Sequence, residues 1–229
     1  MLRNRLSQSA AWMLSIAGIL ASAGTAKAEF FEYTSSVLIS NAAGTYTPGT
    51  ATITNPAGNQ TASFQSDNNT VTLLAQSSNP APPHLNALIG TDIAAMGIDA
   101  NTGIGGVNDL IAFNFSLTVT ITNYTSATAA ASTGSGSLSF TGRLGGNVGN
   151  NAVNIDLLSF ATTPQSILIN EALYTVSFKN FASPGLDNNG TLSLKVTARA
   201  VPEPSSMALI AIGLGGAFAV ARRRNRASA

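Results

Sequence analysis

The side chains that could do chemistry in this chain are few, and their spacing does not assemble a catalytic site. The only histidine is His84, in Pro82-Pro83-His84-Leu85. A general base or metal ligand needs partners, and nothing adjacent to His84 in sequence completes a site, so it reads as a loop histidine. Between residues 29 and 201 the glutamates are Glu29, Glu32 and Glu171. A glycosidase needs two carboxylates flanking one bond, and spacing alone neither builds nor excludes such a pair. Gly134-Ser135-Gly136-Ser137-Leu138 departs from the nucleophile elbow, with leucine where the second glycine belongs and no helix pattern following. Gly103-Ile104-Gly105-Gly106 lacks the strand–turn–helix setting of a dinucleotide loop.

Oxygen ligands offer a softer possibility. Asp99, Asn101 and Asp109, around Gly103, and Asp187 before Asn188 and Asn189 place carboxylates and amides on expected loops. The EF-hand pattern fails, because it requires glycine at its sixth position and glutamate at its twelfth. Asp-Asn-Gly clusters are also ordinary turn chemistry. These four residues are weak calcium candidates, and no cofactor is expected. Cysteine is absent, which removes disulfides, thiol catalysis and zinc–thiolate sites. The expectation is a protein that is not an enzyme.

The elements that must position these residues are strands. From Ile111 to Thr122 the residues show period-two alternation, with Ile111, Phe113, Phe115, Leu117, Val119 and Ile121 on one side and Ala112, Asn114, Ser116 and three threonines, Thr118 among them, on the other. Period two means a strand with one face buried and one in water. Similar stretches predict strands near Glu32–Ser40, Thr50–Asn55, Thr61–Gln65, Thr70–Gln76, Ser135–Arg143, Ala152–Ala161, Ser166–Asn170, Ala172–Asn180 and Thr191–Ala200. Turn chemistry separates them at Asn55-Pro56-Ala57-Gly58, Asp67-Asn68-Asn69, Gly145-Gly146-Asn147, Ser183-Pro184-Gly185 and Asp187-Asn188-Asn189-Gly190. The fold class expected is all-β, an antiparallel β-sandwich of jelly-roll or immunoglobulin-like type. Asn79–Asn108 fits worst and reads as a long loop with a short helix around Thr91–Gly97. Thr125–Gly136 is low in complexity and reads as a mobile connection.

Charge is scarce and segregated. Only 9% of the residues are charged, against about 25% in ordinary domains, so hydroxyls and amides must hydrate the surface. Between Glu29 and Val201 nine acidic residues face four basic ones, a net charge of −5. Nucleic acid is bound mainly through lysine and arginine, so it is excluded as a partner. The basic residues gather at the ends instead. Arg3 and Arg5 precede an apolar stretch from Ala10 to Ala23, followed by Ala26-Lys27-Ala28. That is the order of a secretory signal, with Ala26 and Ala28 as the small-residue exit and Glu29 as the new N-terminus. The expected partners are a signal peptidase and Sec-type export machinery. The only tryptophan, Trp12, belongs to this segment.

At the other end Val201-Pro202-Glu203-Pro204 leads into Ser205–Ala221, which carries no charge, and then into Arg222, Arg223, Arg224 and Arg226. Seventeen residues of helix are about 25 Å long, the lower limit for a hydrocarbon core of about 30 Å. Snorkelling arginines can close the gap, and a basic flank is held on the cytoplasmic side. A signal helix over 1–28 and a short transmembrane helix within 201–229 therefore flank a body of 29–200. Gly213 and Ala217, and Gly215 and Ala219, stand four apart, a spacing that admits close helix approach.

Proline–glutamate–proline, short apolar helix and arginine cluster, in that order, resemble the PEP-CTERM sorting signal of exosortase substrates. Pro202, Glu203 and Pro204 match its tripeptide, and Arg222, Arg223, Arg224 and Arg226 act as the stop-transfer. The resemblance implies recognition by a membrane exosortase, removal of the tail, and delivery of the body to the cell surface or matrix, where exopolysaccharide is a further partner. The β-rich body is similar to ectodomains found on such proteins, and that similarity supplies no functional residues. The function expected is a non-catalytic surface or extracellular-matrix protein. The alternatives are a sugar- or calcium-binding adhesive module and a secreted hydrolase.

Overall fold

A computed structural model describes residues 29–42, 51–66, 69–78, 82–102, 109–149 and 152–201, with isolated helical positions at 212, 213 and 216. The signal segment and nearly all of the sorting segment lie outside the described residues. Among the described residues no helix is long and apolar enough to cross a membrane.

Residues 28–199 form one compact unit. Its strands are β1 (Phe30–Ala42), β2 (Ala51–Thr54), β3 (Thr61–Ser66), β4 (Asn69–Ala75), β5 (Leu85–Asn86), β6 (Thr91–Asn101), β7 (Asp109–Tyr124), β8 (Ser132–Gly149), β9 (Ala152–Phe160), β10 (Gln165–Ile169), β11 (Ala172–Ala182) and β12 (Gly190–Ala200). They make two antiparallel sheets, one ordered β5-β1-β7-β8-β9 and the other β10-β11-β12-β6-β4-β3-β2. The all-β expectation holds. The strands outnumber the seven to nine, or about eight, of an immunoglobulin-like or jelly-roll domain.

The core lies between the sheets. Ile111, Phe113, Phe115, Leu117, Val119 and Ile121 of β7 are all buried, as period two requires. They meet Phe64, Val71, Leu73, Ile98, Leu192, Leu194 and Val196 from the facing sheet in one cluster. Aromatic pairs join the sheets directly. Phe31 of β1 meets Tyr174 of β11 edge-on at 6.0 Å, and Phe160 of β9 meets Phe178 of β11 at 5.5 Å. The phenol of Tyr33 crosses the core and donates to the Ala94 carbonyl at 2.8 Å.

Three expectations require correction. Thr91–Asn101 is an eleven-residue strand between β12 and β4, not a loop with a helix. Its register against β12 slips between Met96 and Ala94, so Ala95 is an extra residue. Such a bulge breaks period two. Buried Ile93 and Ala95 fall out of phase with buried Met96, Ile98 and Ala100, and the alternation disappears from the sequence. Gly145-Gly146-Asn147 is not a turn either, because β8 runs through it. Gly146 is there for close approach, since a Cβ on it would stand 1.9 Å from the Asn154 carbonyl oxygen of β9. Thr125–Gly136 is not a free connection. Its later residues belong to β8, and its backbone carbonyls at Ala127 and Ala129 bind His84.

Candidate functional site

The residues singled out by sequence scatter. Pro202, Glu203, Pro204, Arg222, Arg223, Arg224, Arg226, Ala26 and Ala28 lie outside the described residues. Glu29 is buried just before β1, and its carbonyl accepts from the Ala87 amide at 2.9 Å. Asp99 and Asn101 are exposed on β6, a strand and not the expected loop. Asp109 opens β7 and is buried, with Oδ2 accepting from Asn69 Nδ2 at 2.7 Å. Asp187 is exposed before β12. Among the described residues no group of three or more His, Asp and Glu side chains is placed to hold a metal ion.

What the fold does bring together is a cluster that spacing did not reveal. His84 is buried at the end of the five-stranded sheet. Its ring stacks on Tyr124 of β7, with centroids 3.8 Å apart and planes inclined by 17°. Nδ1 stands 3.0 Å from Glu32 Oε1 on β1. The other oxygen, Oε2, accepts from the Tyr124 hydroxyl at 2.9 Å. That hydrogen bond to Glu32 raises the Tyr124 pKa above its ordinary value, with burial and the carboxylate charge adding to it. Nε2 lies 2.9 Å from the Ala129 carbonyl, and the His84 amide donates to Ala127 at 2.9 Å. A carboxylate orienting an imidazole is the beginning of a base, but the second nitrogen must face a substrate. Here it faces backbone. The arrangement pins the 125–131 loop onto the sheet.

The outward face of the same sheet is laid with hydroxyls. Register places Thr34, Thr120 and Ser137 in one row and Ser36, Thr118 and Ser139 in the next. Thr120 and Ser137 share a hydrogen bond of 2.8 Å, and Thr118 and Ser139 one of 3.1 Å. Further along, an open hollow of about 410 Å³ is lined by Ser40, Asn114, Phe115, Ser116, Thr141, Gly142 and Ser159. Sequence announced the alternation behind these rows but not which hydroxyls would stand side by side, which only register determines.

No curated protein and no solved structure matches the chain. One family model does match, over the stretch that holds Pro202, Glu203, Pro204 and the first three arginines of the cluster: residues 200–224 carry a PEP-CTERM protein-sorting motif.

Proposed function

We propose that the chain is an exported, non-catalytic cell-surface or extracellular-matrix protein, held in the inner membrane by its tail and then processed by an exosortase. The match of the sorting motif to residues 200–224 carries this reading. The apolar run and arginines retain the substrate at the membrane, because translocating arginine is costly. Pro202 and Pro204 keep the segment before the run extended and accessible. Removal of residues 1–28 by signal peptidase after Sec-type export leaves Glu29 as the first residue. The closure of His84 Nε2 onto the Ala129 carbonyl favours a structural over a catalytic role for the body's only histidine.

The rows of neutral hydroxyls favour a second reading, in which this face contacts exopolysaccharide or another uncharged glycan. Mass spectrometry of the mature protein from a host encoding an exosortase tests the principal reading. A body beginning at Glu29 and lacking the arginine cluster is expected. Intact residues 1–28 on surface-located protein would overturn it.

A further inference from the structure

Ala87 ties together both ends of the body. Its amide donates to the Glu29 carbonyl at 2.9 Å, and its carbonyl accepts from the Ala198 amide at 3.0 Å. The first strand therefore begins beside the place where the last strand ends. The residues that follow Ala87 form a tight turn at that end of the sandwich, closed by the Gly90 amide donating to Ala87 at 3.2 Å. At its corners stand Leu88 and Ile89, respectively 41% and 84% exposed. Ile89 exceeds every other large apolar residue described in the body in exposure. Corner positions of tight turns ordinarily take glycine, proline, asparagine or aspartate, and turn chemistry does not call for two branched aliphatics.

The turn is also held rigidly. The Leu88 amide donates to Asn86 Oδ1 at 2.9 Å, the Thr91 hydroxyl donates to the Asn86 carbonyl, and Gly90 takes the positive φ of 81° that the bend requires. Lys195 lies across Gly90, where a Cβ would come within 2.5 Å of its Cε. Arg199 is exposed just beyond Ala198.

We infer that this end of the body is a lipid-contacting surface, in which Leu88 and Ile89 enter the headgroup region and Lys195 and Arg199 face anionic headgroups. The inference rests on the membrane-held tail proposed above. From Ala200 to the apolar run at Ser205 only Val201-Pro202-Glu203-Pro204 intervene. Four extended residues span about 14 Å at most, so the strand end bearing the turn stands close to the bilayer. Two aliphatic side chains bind lipid weakly alone, but a short tether makes the contact intramolecular and raises its effective concentration. Basic residues beside the turn add attraction to an anionic leaflet.

The absence of cysteine allows single-cysteine labelling of the full chain. The chain is reconstituted into phosphatidylethanolamine–phosphatidylglycerol vesicles, some containing brominated lipid, with an environment-sensitive fluorophore on Ile89→Cys, Leu110→Cys or Ala217→Cys. Leu110 is 50% exposed and stands fourteen residues from Tyr124, about 45 Å along β7 from the end bearing the turn. The expected result is blue-shifted emission and quenching at Ile89 at a depth of about 5–10 Å, with none at Leu110. An Ile89 label quenched no more than the Leu110 label, while the Ala217 label is quenched, overturns the inference and leaves the anchored tail standing. An unquenched Ala217 label overturns both.

Discussion

Phe64 and Phe113 stack across the sandwich, with ring centroids 5.2 Å apart and planes inclined by 17°. One ring comes from β3 and the other from β7, and neither is exposed to solvent. The contact joins the two sheets within the core. Phe113→Ala should cost about 3–5 kcal/mol, as transfer and cavity terms add. Thr118→Ala, on the outward side of the same strand, should change stability by no more than about 0.5 kcal/mol. Denaturant midpoints of the two variants separate the faces, and equal losses would refute the register.

Gly146→Ala should destabilise by about 1–3 kcal/mol, because the new methyl meets β9 backbone, which cannot rotate away as a side chain can. Amide exchange in β9 should quicken with it. Gly185→Ala provides the contrast, since nothing lies within 4 Å of the corresponding Cβ.

The phenols of Tyr33 and Tyr174 have their pKa values raised mainly by burial, and that of Tyr124 is raised mainly by its bond to Glu32. The folded chain therefore keeps these protons where an unfolded chain, with tyrosine near pH 10, begins to release them. A state that binds more protons loses relative stability as pH rises. This contribution is complete below about pH 10 and is lost as pH climbs through the raised values. Phenolate absorbance followed against pH should rise late and together with unfolding. In Glu32→Gln, one phenol should titrate earlier.

Glu32 and His84 should be coupled. Glu32→Ala and His84→Ala should each cost about 1–3 kcal/mol by stranding a buried partner. The double variant should cost less than the sum, with a coupling of about 0.5–3 kcal/mol in a double-mutant cycle. Additive losses would show that the 3.0 Å approach contributes nothing.

Replacing Arg222, Arg223, Arg224 and Arg226 with serine should release the body unprocessed and still carrying its apolar run. Glu203→Ala should instead leave the chain in the membrane and slow removal of the tail. The C-terminal peptide of each variant, recovered from a host with an exosortase, distinguishes anchoring from recognition. Tail loss at the wild-type rate in Glu203→Ala would remove the tripeptide from the sorting step.

Strands such as β7 were legible because one face is buried and the other, from Asn114 onward, reaches water, which writes period two directly into the residues. β6 was illegible because the extra Ala95 shifts the phase midway, and an alternation that changes phase resembles no regular element. The glycines of β8 misled in another way. Turn and close approach both select glycine, and only the neighbouring strand tells them apart. The Glu32–His84–Tyr124 cluster left no local trace, since its members come from β1, the segment before β5 and the end of β7. The tripeptide and arginines were legible from order alone, because that signal is linear and needs no fold.

The rows Thr34–Thr120–Ser137 and Ser36–Thr118–Ser139 present no fixed charge to the medium. Dissolved salt shortens the reach of charges and leaves hydroxyl–hydroxyl hydrogen bonding largely alone. Whatever meets the protein through this face therefore meets much the same surface in fresh water and in brine.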